Sequence, residues 1–345
     1  MKSPWLVIRS QKPPFSLWLD ARLPKILLIL MISLIIMVTV SIVQGEYFIP
    51  PLAVVKTLLG LDSNSDHQFI INTLRLPRTL SALLVGMGLA MAGCIMQTIT
   101  RNPLADPSII GINAGASLTA VLCIVVFPSL PIALLPISAF LGGLMVAIAI
   151  YLVAWQGENS VIRLVLVGIG FNFIVSAITN IVVTFGEINS VSQALVWLAG
   201  SVYGKTNEQV LILLPWLVVL TVITWLMSKE LNSLHLGENL SLGLGLSLQK
   251  VQVILLITSV ALSSASVAIA GSIGFVGLIA PHIARFLVGN THQGLIPVSA
   301  LIGALLVVSA DVGGRFFFTP IELPCGIITA VIGAPYFLFL LSKSR

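Results

Sequence analysis

The chain carries ten apolar stretches, each close to the roughly 20 residues that a helix needs to cross the hydrocarbon core of a membrane. Charged residues make up only 8% of its 345 residues, against about 25% in soluble domains. In lipid, a spanning segment must satisfy its backbone polar groups internally, which favours helices. The sequence therefore predicts an all-α, polytopic membrane protein, with spans near 25–44, 78–98, 108–128, 131–155, 163–185, 208–228, 251–270, 273–290, 296–312 and 322–342.

The first span follows a basic tail, which raises the alternative of a cleaved secretory signal. A signal has an apolar core of about 7–15 residues and ends in a small-residue cleavage site. The apolar run from Ile26 to Val43 is longer and has no Ala-x-Ala pattern. We therefore expect a retained first helix, with a basic cytoplasmic tail over residues 1–24 and a single transmembrane domain over 25–345.

The distribution of positive charge predicts the orientation. With both termini in the cytoplasm, most of the 17 lysines and arginines fall on the inner side, as the positive-inside rule requires. The outer side keeps five of them, Lys56, Arg75, Arg78, Lys205 and Arg315. Arg75 and Arg78 open a long apolar run on a side where arginine is uncommon, so we expect acidic groups to face them there.

Several chemical classes are disfavoured by the residues present. All twelve acids fall in loops or at span ends, whereas ion-coupled carriers usually place carboxylates inside the membrane. The segment Gly200–Thr206 resembles a phosphate-binding loop, but Ala199 occupies the place of its first glycine and no strand precedes it. Three cysteines in or beside apolar runs, without paired spacing, indicate helix packing and neither a disulfide nor a metal site; they are Cys94, Cys123 and Cys325.

A chain of this kind with no energy source of its own needs a partner that supplies energy, and one cytoplasmic loop has the composition of a docking site. Residues 228–250 are rich in leucine and are interrupted by Gly237, Gly243 and Gly245. This pattern predicts two short amphipathic helices on the inner surface that offer leucines to another protein. A merely solvated connector is the alternative.

The fifth span carries polar residues in an otherwise apolar run. Asn172, Ser176 and Asn180 recur every four residues and therefore share one face of the helix. Such a face is typical of a wall along a water-filled pathway. Hydrogen bonding to a neighbouring helix explains the same residues equally well.

A series of separate motifs extends from about residue 48 to the C-terminus. They are Arg75-Leu-Pro-Arg-Thr79, Met96-Gln97, Asn102-Pro-Leu-Ala-Asp-Pro107, Gly111-Ile-x-x-Gly115, Leu236-Gly-Glu238, Gly271-Ser-Ile-Gly-Phe-Val-Gly-Leu-Ile-Ala-Pro-His282 with Arg285, Asp311 with Arg315, and Glu322-Leu-Pro-x-Gly326 with Thr329, Gly333 and Pro335. In this order they resemble the FecCD family of permeases. Members of that family are the membrane subunits of binding-protein-dependent ABC importers for iron-siderophores, haem and cobalamin.

The resemblance implies an assembly as well as a fold. It implies a type II ABC importer permease in the bacterial cytoplasmic membrane, with ten helices and cytoplasmic termini, and with no catalytic residue, metal or cofactor of its own. Its partners would be a second permease subunit, identical or paralogous, two ATPase subunits that bind ATP and Mg, and a periplasmic or lipid-anchored solute-binding protein, with no nucleic acid. The expected cargo is an iron(III)-siderophore; cobalamin or haem is the alternative within the family, and an ion-coupled secondary transporter is the alternative outside it.

The resemblance also implies roles for particular residues. Leu236, Gly237 and Glu238 would lie at the surface that couples to the ATPase, and the fifth span would line the central pathway. Residues 156–162 match the cytoplasmic gate of the family. The three outer arginines, Arg75, Arg78 and Arg315, would pair with glutamates of the solute-binding protein, a task that suits the charge and bidentate geometry of a guanidinium. Simple anchoring of a helix end at the lipid head groups is the alternative for the first two.

Overall fold

The protein is described by a computed structural model that covers residues 5–11, 14–45, 47–62, 64–154, 161–243, 245–318 and 321–343. Eight of its helices are long and apolar enough to cross a membrane, and two shorter apolar helices lie at Ile112–Val126 and Val276–Val288. These ten segments coincide with the ten spans predicted from the sequence. The prediction of an all-α polytopic membrane domain is therefore confirmed.

The helices of the membrane domain are connected by short loops and several short helical pieces. In chain order they are α1 Leu23–Val43, α2 Pro51–Leu58, α3 Ser65–Phe69, α4 Leu76–Thr100, α5 Ile112–Val121, α6 Leu135–Ala154, α7 Val161–Thr184, α8 Ile188–Leu198, α9 Asn207–Leu226, α10 Ser228–Leu236, α11 Glu238–Gly243, α12 Leu248–Ala270, α13 Val276–Val288, α14 His292–Phe316 and α15 Cys325–Lys343. Wider π-helical turns at Ile70–Arg75 and Leu122–Val126 precede α4 and extend α5, and 3₁₀ turns lie at Pro107–Ile110 and Ile132–Leu134.

The basic tail contains an antiparallel hairpin that the sequence analysis did not predict. Strand β1, Trp5–Gln11, pairs with strand β2, Pro14–Asp20, so that Trp5 lies opposite Asp20. The strands lie wholly before α1. The tail therefore differs in structure from the membrane domain that follows it.

The turn after α4 forms where the sequence predicts it. Arg101 adopts a left-handed conformation with φ of 50° and ends the helix, and Asn102 then accepts hydrogen bonds from the next residues of the turn. Pro107 opens the following 3₁₀ turn with Asp106 as its N-cap. Because proline disfavours helical geometry in the residue before it, the two prolines of this segment keep the chain in a compact turn.

Three helices form the centre of the bundle. Most residues of α4, α12 and α14 are buried inside the chain, whereas fewer than a third are buried in α1, α7, α9 and α15. Close packing around α4 depends on glycine: a methyl group on Gly86 would collide with the carbonyl oxygen of Gly303 in α14, and one on Gly93 with that of Gly277 in α13. Such contacts let helix backbones touch in the absence of a strong hydrophobic force between helices in lipid.

The antiparallel pair α4 and α14 defines the two ends of the bundle. Arg78 at the start of α4 lies beside Arg315 near the finish of α14, and we refer to this side as the arginine end. Helices α10 and α11 lie at the opposite end, where α10 contacts the finish of α4 and the start of α14. We refer to that side as the loop end.

Candidate functional site

A cavity of about 630 Å³ opens at the arginine end and contains all three arginines singled out by the sequence. Four cationic side chains and a single acidic one line it among the described residues, so its walls carry an excess of positive charge. The lining is formed by Gln44, Gly45, Tyr47, Ile70, Thr73, Leu74, Arg75, Arg78, Tyr203, Gly204, Lys205, Thr206, Val312, Arg315, Phe316 and Glu322. We refer to it as the charged cavity.

Arg78 is held by two carboxylates. Its Nε and Nη2 atoms donate to Asp311 Oδ1 at 3.0 and 2.8 Å, and its Nη1 donates to Glu322 Oε2 at 2.8 Å. The ring of Tyr203 lies 5.3 Å from the guanidinium carbon, within the range of a cation–π contact. Arg78 therefore connects α4, α14 and the segment before α15 inside this chain.

Arg75 caps the first helix. Its Nη1 donates to the carbonyl oxygens of Ile42 and Val43 at 2.7 and 3.0 Å, and its Nη2 donates to the carbonyl of Tyr47. The last carbonyls of a helix have no partner within it, so a cation there satisfies them and complements the helix dipole. Arg75 thus fastens the end of α1 to the start of α4.

Arg315 completes the cluster from α14. Its Nη2 donates to the hydroxyl of Ser41 at 2.8 Å and to the Ser41 carbonyl at 3.2 Å, and the same atom lies 3.3 Å from Asp311 Oδ2. Asp311 is consequently flanked by two arginines, Arg78 and Arg315. All three arginines have structural partners within the chain that the sequence analysis did not foresee, although Asp311 and Glu322 were among its motifs.

Lys205, which the distribution of positive charge in the sequence places on the outer side, is a fourth cation of the charged cavity. It lies in the loop that precedes the Thr206 N-cap of α9. Burial lowers the pKa of its ammonium group, and it makes no hydrogen bond or ion pair with the described residues. In the sequence, the one feature that distinguishes Lys205 is that it is among the five lysines and arginines expected on the outer side.

The loop end presents the two short helices predicted for residues 228–250. Gly237 joins α10 to α11 with φ of 115° and ψ of 157°, a conformation that essentially only glycine adopts. On α10, Leu231 and Leu234 are buried in the bundle, whereas Leu236 is 59% exposed. The exposed set also includes Leu240 and Leu242 of α11. Buried leucines therefore fix the loop to the bundle, and exposed leucines remain on its surface. Glu238 is the first residue of the second helix, α11.

The polar residues of α7 divide into two environments. Asn172 donates through Nδ2 to the carbonyls of Gly168 at 3.0 Å and Ser108 at 3.3 Å, so it bonds partly to a neighbouring segment. Ser176 and Asn180 are exposed on the outside of the chain. Of the segment expected near a gate, residues 156–160 lie outside the described part of the chain and 161–162 begin α7.

Metal binding by this chain finds no support in the described residues. They contain no group of three histidine, cysteine or acidic side chains close enough to hold an ion. The cysteines are free thiols within the same residues, with Cys94 and Cys325 buried and Cys123 partly buried. Cys94 and Cys325 belong to the main hydrophobic core of the helix bundle.

Comparison with known proteins gives consistent results over nearly the whole chain. The sequence model of the FecCD transport family matches residues 32–343. The Fe(3+)-citrate import system permease protein YfmE of Bacillus subtilis is 44% identical over 317 residues, which cover 91% of this chain and 94% of that protein. The iron(3+)-hydroxamate import system permease protein FhuG of the same organism is 40% identical over 331 residues, which cover 93% and 98%.

A solved structure extends the agreement to three dimensions. It is described as an inward-facing conformation of a metal-chelate type ABC transporter, and it shares 33% identity with a TM-score of 0.83. The match covers 93% of this chain and 99% of that one. Since the family model, the relatives and the fold agree over more than nine tenths of the residues, the chain belongs to the FecCD transport family and is a membrane-embedded permease subunit.

Proposed function

We propose that the chain carries an iron(III)-siderophore inward across the bacterial cytoplasmic membrane, as the permease of an importer driven by a separate ATPase. The observation that carries this proposal is the match over at least nine tenths of the chain to permeases named for Fe(3+)-citrate and iron(3+)-hydroxamate import. Cobalamin or haem is the alternative cargo. No described feature favours either of them over an iron chelate.

The proposed assembly uses both ends of the bundle. The partners are a second permease subunit, two ATPase subunits that bind ATP and Mg, and a solute-binding protein, with both termini of this chain in the cytoplasm. The loop end, through Leu236, Gly237 and Glu238, would meet the ATPase. The exposed leucines of α10 and α11 support this role because they present apolar surface to a partner.

The charged cavity supports docking of an acidic protein at the arginine end. Arg75, Arg78 and Arg315 are proposed to bind glutamates of the solute-binding protein. The net positive charge of the cavity lining would attract these acidic residues. The bonds that the arginines make within the chain hold their guanidinium groups in place before docking. Preorganised donors lose less conformational entropy on binding.

Charge pairing in α14 supports ATP-driven transport over the alternative of an ion-coupled carrier. Asp311, an acid in the last turns of the apolar helix α14, is bonded to Arg78 and lies 3.3 Å from Arg315. Protein cations thus neutralise this carboxylate, whereas an ion-coupled carrier needs an acid that exchanges its ion. The proposed pathway residues Asn172, Ser176 and Asn180 carry no charge at all.

Uptake measurements would test the proposal directly. The chain would be expressed with its partner permease, ATPase and solute-binding protein in cells that lack their own iron-chelate uptake. We expect vanadate-sensitive accumulation of radioactive iron supplied as a ferric hydroxamate or ferric citrate. Accumulation of labelled haem or cobalamin instead would overturn the cargo, and uptake that resists vanadate but stops with a proton uncoupler would overturn the ABC mechanism.

A further inference from the structure

His292, the first residue of α14, joins three helices through its ring. Its Nδ1 lies 2.8 Å from Asn232 Oδ1 in α10, and its Nε2 lies 2.7 Å from the hydroxyl of Thr98 near the end of α4. The side chain is 1% exposed. A buried imidazole with a partner at each nitrogen fixes the positions of all three helices relative to one another.

Asn232 also caps α14 from outside the helix. Its Oδ1 accepts the backbone N–H of His292 at 2.8 Å, and its Nδ2 donates to Gln293 Oε1 at 2.9 Å. The N-cap residue Thr291 makes no side-chain capping bond of its own. One of the unpaired N–H groups at the start of α14 is therefore satisfied by α10, so the cap holds only while α10 stays in place.

The same contacts assign the proton on the histidine ring. Because Asn232 Oδ1 already accepts a backbone N–H, that atom is the amide oxygen and can only accept. His292 Nδ1 must then carry the hydrogen. The Thr98 hydroxyl lies 2.7 Å from Nε2 and 2.8 Å from the Cys94 carbonyl, so its single hydrogen is shared between these two acceptors. These hydrogen bonds depend on direction as well as distance, unlike the apolar contacts of the buried Leu231 and Leu234 beside them.

Helices α4 and α14 form a stiff pair between the two ends of the bundle. Arg78 and Asp311 join them at the arginine end, the backbone contact of Gly86 with Gly303 joins them midway, and Thr98 with His292 joins them at the loop end. The stretch of α4 from Arg78 to Thr98 is about 30 Å long at 1.5 Å per residue. A displacement at one end of such a pair moves the other end as well.

We propose that Asn232, His292 and Thr98 are positioning residues that lock the ATPase-facing helix α10 to the α4–α14 pair, so that movement of α10 is transmitted to the arginine end. The inference rests on the proposed function for the identity of the partners at each end. The inference adds the structural connection between the loop end and the arginine end, and it names the residues that maintain this connection. Without the link, α10 would move on its apolar contacts without carrying α14 with it.

Reconstitution of the complete complex in proteoliposomes would test the link through the ratio of iron chelate transported to ATP hydrolysed. Thr98→Val removes the hydroxyl with little change of shape, and Asn232→Leu removes the cap. We expect each to lower the ratio roughly threefold to tenfold, as expected for the loss of about 1 kcal/mol of coupling, while binding-protein-stimulated hydrolysis continues. Thr98→Ser, which keeps the hydroxyl, should retain the parent ratio.

A matched control lies next to Asn232 on α10. The Ser233 hydroxyl bonds to the Lys229 carbonyl within the same helix, so Ser233→Ala should leave the ratio unchanged. A purely structural role would reduce the amount or thermal stability of the complex but not the ratio, so a parent ratio in Thr98→Val would overturn the inference even if Asn232→Leu failed to assemble. Absence of vanadate-sensitive uptake in the parent complex would instead overturn the proposed function.

Discussion

Arg78 and Asp311 form a two-pronged salt bridge between the first turn of α4 and the last turns of α14, although 233 residues separate them in sequence. Both Nε and Nη2 of Arg78 donate to Asp311, and the aspartate side chain is only 3% exposed. Two donors in the plane of a guanidinium fix orientation as well as distance. The pair therefore sets how the two central helices meet at the arginine end.

Removal of one member of this pair is expected to destabilise the protein strongly. Arg78→Met leaves Arg315 as the remaining cation beside the buried Asp311 carboxylate. The loss of one partner from a buried ion pair costs about 3–5 kcal/mol. Asp311→Asn alone is expected to be costly for the corresponding reason. The double variant should lose less than the sum of the two single losses, because neither charge is then stranded.

Thermal unfolding of the purified chain in detergent micelles would measure these three variants against the parent. A strictly additive double variant would show that the two residues do not interact. Arg22→Met offers a control for the loss of an arginine, because the Arg22 side chain is 64% exposed and its ion pair with Asp20 is a surface one. Surface pairs of this kind contribute about 0–1 kcal/mol.

The membrane spans could be predicted from the sequence, whereas the contacts at the arginine end could not. Each span depends on local composition, because about 20 consecutive apolar residues have no stable alternative to a membrane helix. The partners of Arg78 depend on which helices are neighbours, and hydropathy does not carry that information. Arg75 is similar: its role as a cap of α1 depends on carbonyl groups that every residue possesses.

Two short elements could not be predicted from hydropathy. Helix α8, Ile188–Leu198, and the tail hairpin are too short to stand out in a search for spans. The helices α10 and α11 were predicted because glycines interrupt a leucine-rich segment there, and glycine at 237 is required by its positive φ. The positions of glycines therefore predicted these two helices correctly, because backbone conformation near Gly237 determines where one helix ends and the next begins.

Asp106 is expected to make stability depend on pH. Desolvation raises the pKa of its carboxyl above the ordinary 3.8, so the folded state holds a proton that the unfolded state has already released. Stability should therefore fall as pH rises between the unfolded and folded pKa values. Asp106→Asn removes this dependence and keeps the oxygen that accepts from the Ser108 N–H, so it should be more stable than the parent at neutral pH.

Thermal unfolding of the two proteins across that range would reveal the difference, which should shrink as the pH is lowered and the aspartate becomes protonated. Asp106→Ala is the control for the cap itself and should lose about 0.5–2 kcal/mol relative to Asp106→Asn. Equal pH profiles for the parent and Asp106→Asn would show that the carboxyl is as well solvated in the folded state as in the unfolded one.

Gly237→Leu is expected to disturb the loop end without removing the protein from the membrane. At its φ of 115° a leucine costs about 1–3 kcal/mol, so the angle between α10 and α11 should change. Under the proposed coupling role, the exposed Leu236 and the start of α11 would then meet the ATPase in the wrong relative position, so binding-protein-stimulated ATPase activity and uptake should both fall.

Gly243→Ala provides the comparison for that substitution. Gly243 ends α11 with ordinary helical backbone and open space around it, so a methyl group there should leave activity near the parent value. Membrane levels of both variants would be followed by immunoblotting. Normal uptake in Gly237→Leu would contradict the proposed coupling role.

Cysteine substitution would decide whether the polar face of α7 lines a wetted pathway. Single cysteines at Ser176 and Asn180 should react with a small water-soluble thiol reagent in the assembled transporter, and one at Asn172 should react more slowly because that side chain bonds to the Ser108 segment. The parent for these variants would lack the three native cysteines. Labelling rates in membrane vesicles would be compared.

Val175 and Thr179 are the controls for labelling, since both are only about 6% exposed. Each precedes one of the tested positions by one residue, which places it about 100° away round the same helix. Phe173 and Ala177 are exposed and so are less suitable as protected neighbours. Protection of Ser176 and Asn180 equal to that of Val175 would favour packing of this face against another helix of the assembly.

Lys205 offers the cleanest test of docking at the charged cavity. The three arginines are bonded within the chain, so their substitution would change the fold and the docking surface together. Lys205 has no such bond with the described residues, and burial lowers the pKa of its ammonium group, which indicates a cation poorly compensated by this chain. An incoming carboxylate would relieve that cost.

Lys205→Glu should therefore weaken the affinity of the solute-binding protein by about 2 kcal/mol or more, which is a loss of at least about 30-fold, while membrane levels stay unchanged. Lys56→Glu makes the same change of charge on the exposed surface of α2, away from the lining of the cavity, and should have an effect of about 0–1 kcal/mol that disappears at high salt. Binding would be measured with the permease complex in lipid nanodiscs at low and high ionic strength. If the two variants bind the partner equally well at both, the charged cavity is not where the solute-binding protein docks.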